Sequence, residues 1–227
     1  MGRSLKYEIS GQDPRVAASE VAASGWSGLF EVSRAKPPGS AESDADRRMV
    51  LEIGFGRGEF LLWMASSAPE VDFVGIEVSF KRTLKMARKV ARAGLANVLL
   101  LEARAEVAIR ELLDEGAVAE IWINFSDPWP KARHARRRLI QSEFVRDATR
   151  ALAAGGTLYI ATDDVPYAHQ IDAVLAGQNR LANRYSPWPF LSEVPGRKMT
   201  GYEQQWRAEG RPLHFFAYGV TAAGGDG

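Results

Sequence analysis

Leu51-Glu52-Ile53-Gly54-Phe55-Gly56-Arg57-Gly58-Glu59 decides how this chain is read. A short apolar run over 49–53 ends in three glycines at alternate positions, and a helical pattern follows over 58–67. Glycine lets the backbone turn sharply and lie close against a ligand. The spacing is Gly-x-Gly-x-Gly, and Glu59 stands where a dinucleotide-binding turn carries its third glycine. An acid beside the turn repels a pyrophosphate but suits the amino and sulfonium groups of S-adenosylmethionine. Glu77, at the end of the next apolar run, is placed to accept two ribose hydroxyls. Glu52, Gly54, Gly56, Gly58 and Glu77 are therefore candidate S-adenosylmethionine ligands, with a nicotinamide cofactor or an unliganded packing turn as alternatives.

Outward from this turn, apolar runs at 49–53, 73–77, 97–101, 119–125 and 157–162 alternate with helical patterns at 58–67, 79–93, 105–114, 139–153 and 165–176. In 79–93, Leu84, Ala87 and Ala91 form a stripe opposite Lys81, Lys85, Arg88 and Arg92. Such alternation predicts an α/β fold: a mostly parallel sheet with helices on both faces and ligands at the carboxyl ends of the strands. The polar residues at that edge are those of 52–58, Glu77, the 102–106 region, 124–131 and Asp163. Asn124 is counted on the cofactor side. Behind the third strand the chain reads Leu101-Glu102-Ala103-Arg104-Ala105-Glu106. An acid or amide commonly reads an adenine amine there, yet Arg104 cannot accept a hydrogen bond. Glu102 is the other candidate, and the choice stays open.

A second stretch, Asn124-Phe125-Ser126-Asp127-Pro128-Trp129-Pro130-Lys131-Ala132-Arg133-His134-Ala135-Arg136-Arg137-Arg138, joins an acidic, aromatic tip to a basic run without a linker. The tip suits a flat polar ring and the run suits a polyanion, which together suggest chemistry on a base within a nucleic acid. The alternative is a turn followed by a solvated basic helix start. Over the 227 residues, 29 Lys+Arg balance 28 Asp+Glu, so the partner is indicated by clustering and not by net charge. Residues 81–92 hold six Lys/Arg and no acid, and 131–138 hold five and no acid. Cysteine is absent and the three histidines, 134, 169 and 214, lack an H-x-x-x-H spacing, so neither disulfides nor a metal site is expected. No run approaches the roughly 18 apolar residues of a membrane span, and a cytoplasmic protein is expected. Residues 1–33 read as an N-terminal arm with Trp26, Leu29 and Phe30 packing on the domain. A flexible linker is expected over 34–48, one domain over 49–221, and a frayed tail over 222–227.

On these residues the chain resembles the bacterial tRNA (guanine-N7)-methyltransferases. L-E-I-G-F-G-R-G-E-F, the Glu of G-I-E-V, N-F-S-D-P-W-P-K-A-R-H-A-R-R-R, A-T-D and the late T-G-Y-E occur in family order, from about Trp26 to Val220. The resemblance implies a Rossmann-like class I methyltransferase sheet of seven strands, the last antiparallel. It also implies methyl transfer from S-adenosylmethionine to N7 of a guanine in the tRNA variable loop. By the same resemblance Glu52 and Glu77 are cofactor acids and Asp127 is the active-site acid, near the cofactor. Lys131, Asp163, Thr200, Gly201, Tyr202 and Glu203 match substrate-contacting positions, and Arg133, His134, Arg136, Arg137 and Arg138 an RNA-contacting stretch. Arg104 falls where the family usually has Asp. The partner implied is tRNA, without membrane or metal, for a monomer or homodimer. Rival readings are a methyltransferase acting on an exocyclic amine and a non-catalytic RNA-binding protein on the same fold. Asp127 and Asp163 are the carboxylates expected beside the reacting purine. Trp129 is either a stacking face for a base or loop packing, and the T-G-Y-E segment is either a pocket-capping loop or a structural turn.

Overall fold

The computed structural model describes residues 8–34 and 47–221. The first seven residues of the expected arm, residues 35–46 of the expected linker and the expected tail lie outside the described residues. The elements are β1 (Arg15–Val16), α1 (Ala18–Arg34), β2 (Met49–Ile53), α2 (Glu59–Ser67), β3 (Asp72–Glu77), α3 (Phe80–Ala93), β4 (Val98–Glu102) and α4 (Ala105–Leu112). They continue with β5 (Val118–Asn124), α5 (Ser142–Ala151), β6 (Leu152–Thr162), α6 (Val165–Ala176), β7 (Leu181–Asn183), α7 (Gly201–Ala208) and β8 (His214–Val220).

The strands form one sheet in the order β1-β4-β3-β2-β5-β6-β8-β7. Neighbours are parallel except that β8 runs antiparallel to both β6 and β7. The mostly parallel α/β sheet with an antiparallel last strand is thus present. Its eighth member is the two-residue β1, which pairs with β4 at the sheet edge.

Strand side chains alternate between two cores. Leu51, Ile53, Ile121 and Ile123 pack with residues of α1, α4, α5 and α6. Val50, Phe73 and Leu100 pack with residues of α2 and α3 on the other face. Trp26 and Phe30 of α1 belong to the first core, and the Trp26 indole N–H donates to the Leu112 carbonyl at 2.7 Å. A ring as buried as Phe30, 1% exposed, contributes about 3–5 kcal/mol. In α3 most of the predicted stripe is present: Leu84 and Ala87 are buried beside Met86 and Val90 and Lys81, Lys85 and Arg92 are exposed, while Ala91 and Arg88 are both half-buried.

The chain leaves β2 for β3 and β4 on one side, then crosses to β5 on the other side. That reversal leaves a crevice at the carboxyl ends of β2 and β5, where such folds place their ligands. Among the described residues no helix is long and apolar enough to cross a membrane.

Candidate active site

The glycine turn grows directly out of the sheet. The Gly54 N–H donates to the Ile76 carbonyl of β3 at 2.8 Å. Gly54, Gly56 and Gly58 have φ of +69°, +54° and +73°, a left-handed region in which a Cβ is crowded by the neighbouring carbonyl. A Cβ on Gly58 would also stand 2.1 Å from the Met86 sulfur of α3, so both conformation and contact require glycine there. Glu77 buttresses the turn: Oε2 accepts the Gly56 N–H at 3.1 Å and Oε1 the Ser79 N–H at 3.0 Å.

Glu52 is 2% exposed. Its Oε1 accepts the Asn124 amide at 3.3 Å, whereas Oε2 is buried without a hydrogen-bond partner among the described residues. Burial pushes this carboxyl up to about 7, against the opposing pull of the Asn124 amide and the Arg197 charge. The Leu61 backbone N–H at the start of α2 pulls the same way, and the result is a buried acid with one oxygen short of a full hydrogen bond among the described residues.

Across the turn lies the loop that carries Asp127. The two banks enclose a cleft of about 420 Å³, with Glu52 and the 54–59 turn on one side and Asp127, Pro128, Asp163, Tyr202 and Trp206 on the other. Phe125 and Trp129 hold φ of +57° and +43°, uncommon for residues with a side chain. What maintains this loop lies below it. The Tyr167 hydroxyl accepts the Ile140 N–H at 3.0 Å and lies 3.4 Å from the Ser126 hydroxyl, so it clasps both ends. Arg138 donates from Nε to the Pro128 carbonyl at 2.7 Å and from a terminal nitrogen to Gln170 at 2.8 Å, over the Tyr167 ring.

Arg138 therefore departs from the basic run to which the sequence assigned it. It is 7% exposed and its donors are engaged inside the protein, so it is a strut and not an RNA contact. Lys131, Arg133, Arg136 and Arg137 are exposed and His134 is half-buried. Asp127 is exposed at the cleft rim, where its Oδ1 accepts the Trp129 N–H at 3.0 Å. The Trp129 ring faces away from the cleft, against Arg137 at 5.0 Å and His134 at 5.8 Å. It offers no stacking face inside the cleft.

The T-G-Y-E segment opens α7 and is neither a free loop nor a simple turn. Thr200 caps the helix by accepting the Glu203 N–H at 3.0 Å. Glu203, 2% exposed, is held by Arg207 at 3.1 Å and by a shorter contact to Arg197. It points away from the cleft into an ion pair. The start of α7 lies close against α2: a Cβ on Gly201 would come within 2.6 Å of Glu59 Oε2, the end of an exposed side chain that can swing aside. Tyr202 stacks on Trp206 at 5.4 Å, Phe125 meets Trp206 edge-on at 4.7 Å, and Arg57 lies over Tyr202 at 5.2 Å. The aromatic wall of the cleft thus includes Tyr202 and Trp206, with Phe125 edge-on beside them.

Arg197 is the residue that sequence reasoning missed. Its side chain, 7% exposed, lies between the Phe60 and Phe215 rings and donates to Asn124 Oδ1 at 2.5 Å. Glu203, Arg197, Asn124 and Glu52 so form one polar chain from α7 to the end of β2. Nothing in the polar stretch around Arg197 signals burial, because its partners are remote in sequence. Asp163 is held by Arg211 at 3.0 Å. Arg104 does not join the cleft: its side chain is 72% exposed and meets Glu106 at 3.3 Å. Among the described residues no group of three or more His, Asp or Glu side chains could hold a metal ion.

A family model described as "Putative methyltransferase" matches residues 46–216. A tRNA (guanine-N(7)-)-methyltransferase of Leifsonia xyli subsp. xyli is 40% identical over 169 residues, 74% of this chain and 74% of its own. One from Syntrophotalea carbinolica is 34% identical over 188 residues, 82% of this chain and 81% of its own. The crystal structure of a SAM dependent methyltransferase from Aquifex aeolicus shares the fold, with a TM-score of 0.54 over 77% of this chain and 82% of that one, at 13% identity. The glycine turn braced by Glu77, the acid at 52 and the Asp127-Pro128 tip meet at one cleft of a methyltransferase sheet, and the chain belongs to the tRNA (guanine-N7)-methyltransferase family.

Proposed function

We propose that this protein transfers a methyl group from S-adenosylmethionine to N7 of a guanine in the variable loop of tRNA. The observation that carries the cofactor is the unpartnered Oε2 of Glu52 beside the glycine turn. A buried carboxyl raised to about 7 ionises more readily once a cation docks beside it, and the amino group of the methyl donor is one. Glu77 serves the Gly56 and Ser79 N–H groups and lies 3.6 Å from the exposed Arg82 guanidinium, and its second lone pairs are acceptors for the ribose hydroxyls. When bound, the cofactor supplies an electrophilic methyl group.

The chain's task is then positioning and charge. Guanine N7 is an sp² nitrogen with a free lone pair, so no proton has to leave before attack. Positive charge develops on the purine instead, and a carboxylate already fixed beside it lowers the barrier. Asp127, oriented by the Trp129 N–H on a loop clasped by Tyr167 and Arg138, fits that role. Asp163 is neutralised by Arg211 and is the second choice. Tyr202 and Trp206 give the purine flat surfaces.

The direct test is incubation with labelled S-adenosylmethionine and an unmodified tRNA transcript, followed by nucleoside analysis. Label in 7-methylguanosine, lost when the variable-loop guanine is replaced, is expected. Label in an exocyclic-amine product, or none, would overturn this reading.

A further inference from the structure

The loop carrying Asp127 has a second side. Asp127 and Pro128 face the cleft, while Trp129 faces a hollow of about 590 Å³ between the loop and the start of α4. Five guanidinium groups, Arg104, Arg110, Arg136, Arg137 and Arg138, line it with two carboxylates, Glu106 and Glu143. These arginines are not equivalent. Arg138 is buried in its contacts with Pro128 and Gln170. Arg110 is held by Glu143 at 3.0 Å and Asp147 at 3.1 Å. Arg104, Arg136 and Arg137 point cationic groups into solvent, Arg104 with a single 3.3 Å contact to Glu106 and Arg137 stacked over the Trp129 ring. The hollow therefore presents three solvent-facing cations around one indole.

We propose that this hollow carries the phosphodiester backbone of the tRNA strand flanking the target guanine, with Arg104, Arg136 and Arg137 on phosphates and Trp129 against the neighbouring base. The proposal rests on the functional reading above and adds to it a path and a role for Arg104. A base delivered to the cleft side of a short loop leaves its chain at the rim, and the strand then passes to the other side. Single-stranded nucleic acid is held by this combination, guanidinium groups on phosphate and an aromatic or Arg plane under a base. Guanidinium suits the task because its planar donors match phosphate oxygens in pairs. The arginine at 104, where the resemblance leads one to expect an acid that reads adenine, then serves the RNA and not the cofactor.

The test compares wild type, Arg104→Gln and the triple Arg104→Gln/Arg136→Gln/Arg137→Gln variant. Filter binding of a tRNA transcript is measured across about 50–200 mM salt, beside calorimetric titration of S-adenosylhomocysteine and steady-state methylation. Arg104→Gln is expected to raise the KM for tRNA by about three- to tenfold and to lower the salt slope by somewhat under one unit. The triple variant should lower the slope by roughly two units or more. The S-adenosylhomocysteine dissociation constant should stay within about twofold in both. A changed cofactor constant with an unchanged salt slope would return Arg104 to the cofactor and overturn the proposal. Unchanged KM and slope, in a protein whose wild type methylates tRNA, would make the hollow a solvated face. A wild type that neither binds nor methylates tRNA would overturn the functional reading, and the strand path with it.

Discussion

Glu52 and Glu77, at and behind the glycine turn, are 2% and 3% exposed, whereas Asp127 at the cleft rim and Lys131, Arg136 and Arg137 on the segment that follows it are exposed. The first pair sits on the ends of central strands, tied to Asn124, Gly56 and Ser79. The second group rides on a loop whose rigidity comes from Tyr167 and Arg138 underneath. The difference follows the size of what each bank is proposed to meet. A small ligand can be enclosed by buried groups at fixed positions, while a polyanion must be met at the surface by long side chains. Burial, and not charge alone, then distinguishes scaffold from contact: Arg138 and Glu203 belong to motifs that resemble RNA- and substrate-contacting segments, yet both are interior struts.

The sharpest way to break this comparison is Glu203→Gln. Removing one partner of a buried pair strands the Arg197 charge, and a loss of about 3–5 kcal/mol is expected in urea unfolding. A variant of native stability with a raised KM for tRNA would show that Glu203 contacts substrate after all. Next is Asp127→Asn, which keeps shape but removes charge beside the reacting purine. Single-turnover methylation should slow by roughly 10²–10³, the scale of losing one preorganised electrostatic contact, while tRNA binding persists. Wild-type turnover would pass the role to Asp163.

On the buried bank, Glu77→Ala should weaken S-adenosylhomocysteine binding about ten- to hundredfold, the worth of hydrogen bonds to a charged group. Calorimetry with an unchanged constant would refute the ribose assignment. The smallest effect is a pH dependence from Glu52. Its carboxyl is raised to about 7 from 4.5, so between those values the folded chain keeps a proton that the unfolded chain has released. Stability without ligand should therefore decline as pH rises toward about 7 through this group, while a cationic ligand prefers the ionised form. S-adenosylhomocysteine affinity should accordingly fall about tenfold from pH 8 to pH 6, and Glu52→Gln should abolish that trend. A flat profile in the wild type would mean that Glu52 is ionised throughout the range or does not meet the ligand's amino group.

Periodicity and the glycine turn were enough to place the strands around β2, β3, β4, β5 and β6 and the helices between them. Those signals are local: a strand alternates with period two and a helix with period 3.6, whatever lies beyond. The same holds for Glu52, Glu77 and Asp127, whose places at strand ends follow from where each apolar run stops. β1 and β7, two and three residues long, carry too little pattern to be read. The roles of Arg138, Arg197 and Glu203 were decided by tertiary contacts alone. An arginine reads as a surface residue until partners far along the chain enclose it, and Gln170 and Asn124 lie 32 and 73 residues away from Arg138 and Arg197. Sequence determined the sheet and the acids at its edge, because each is fixed by neighbours along the chain. Only the folded structure decided which charges face the cleft or solvent and which support the wall, because burial is set by contacts between segments that local pattern does not link.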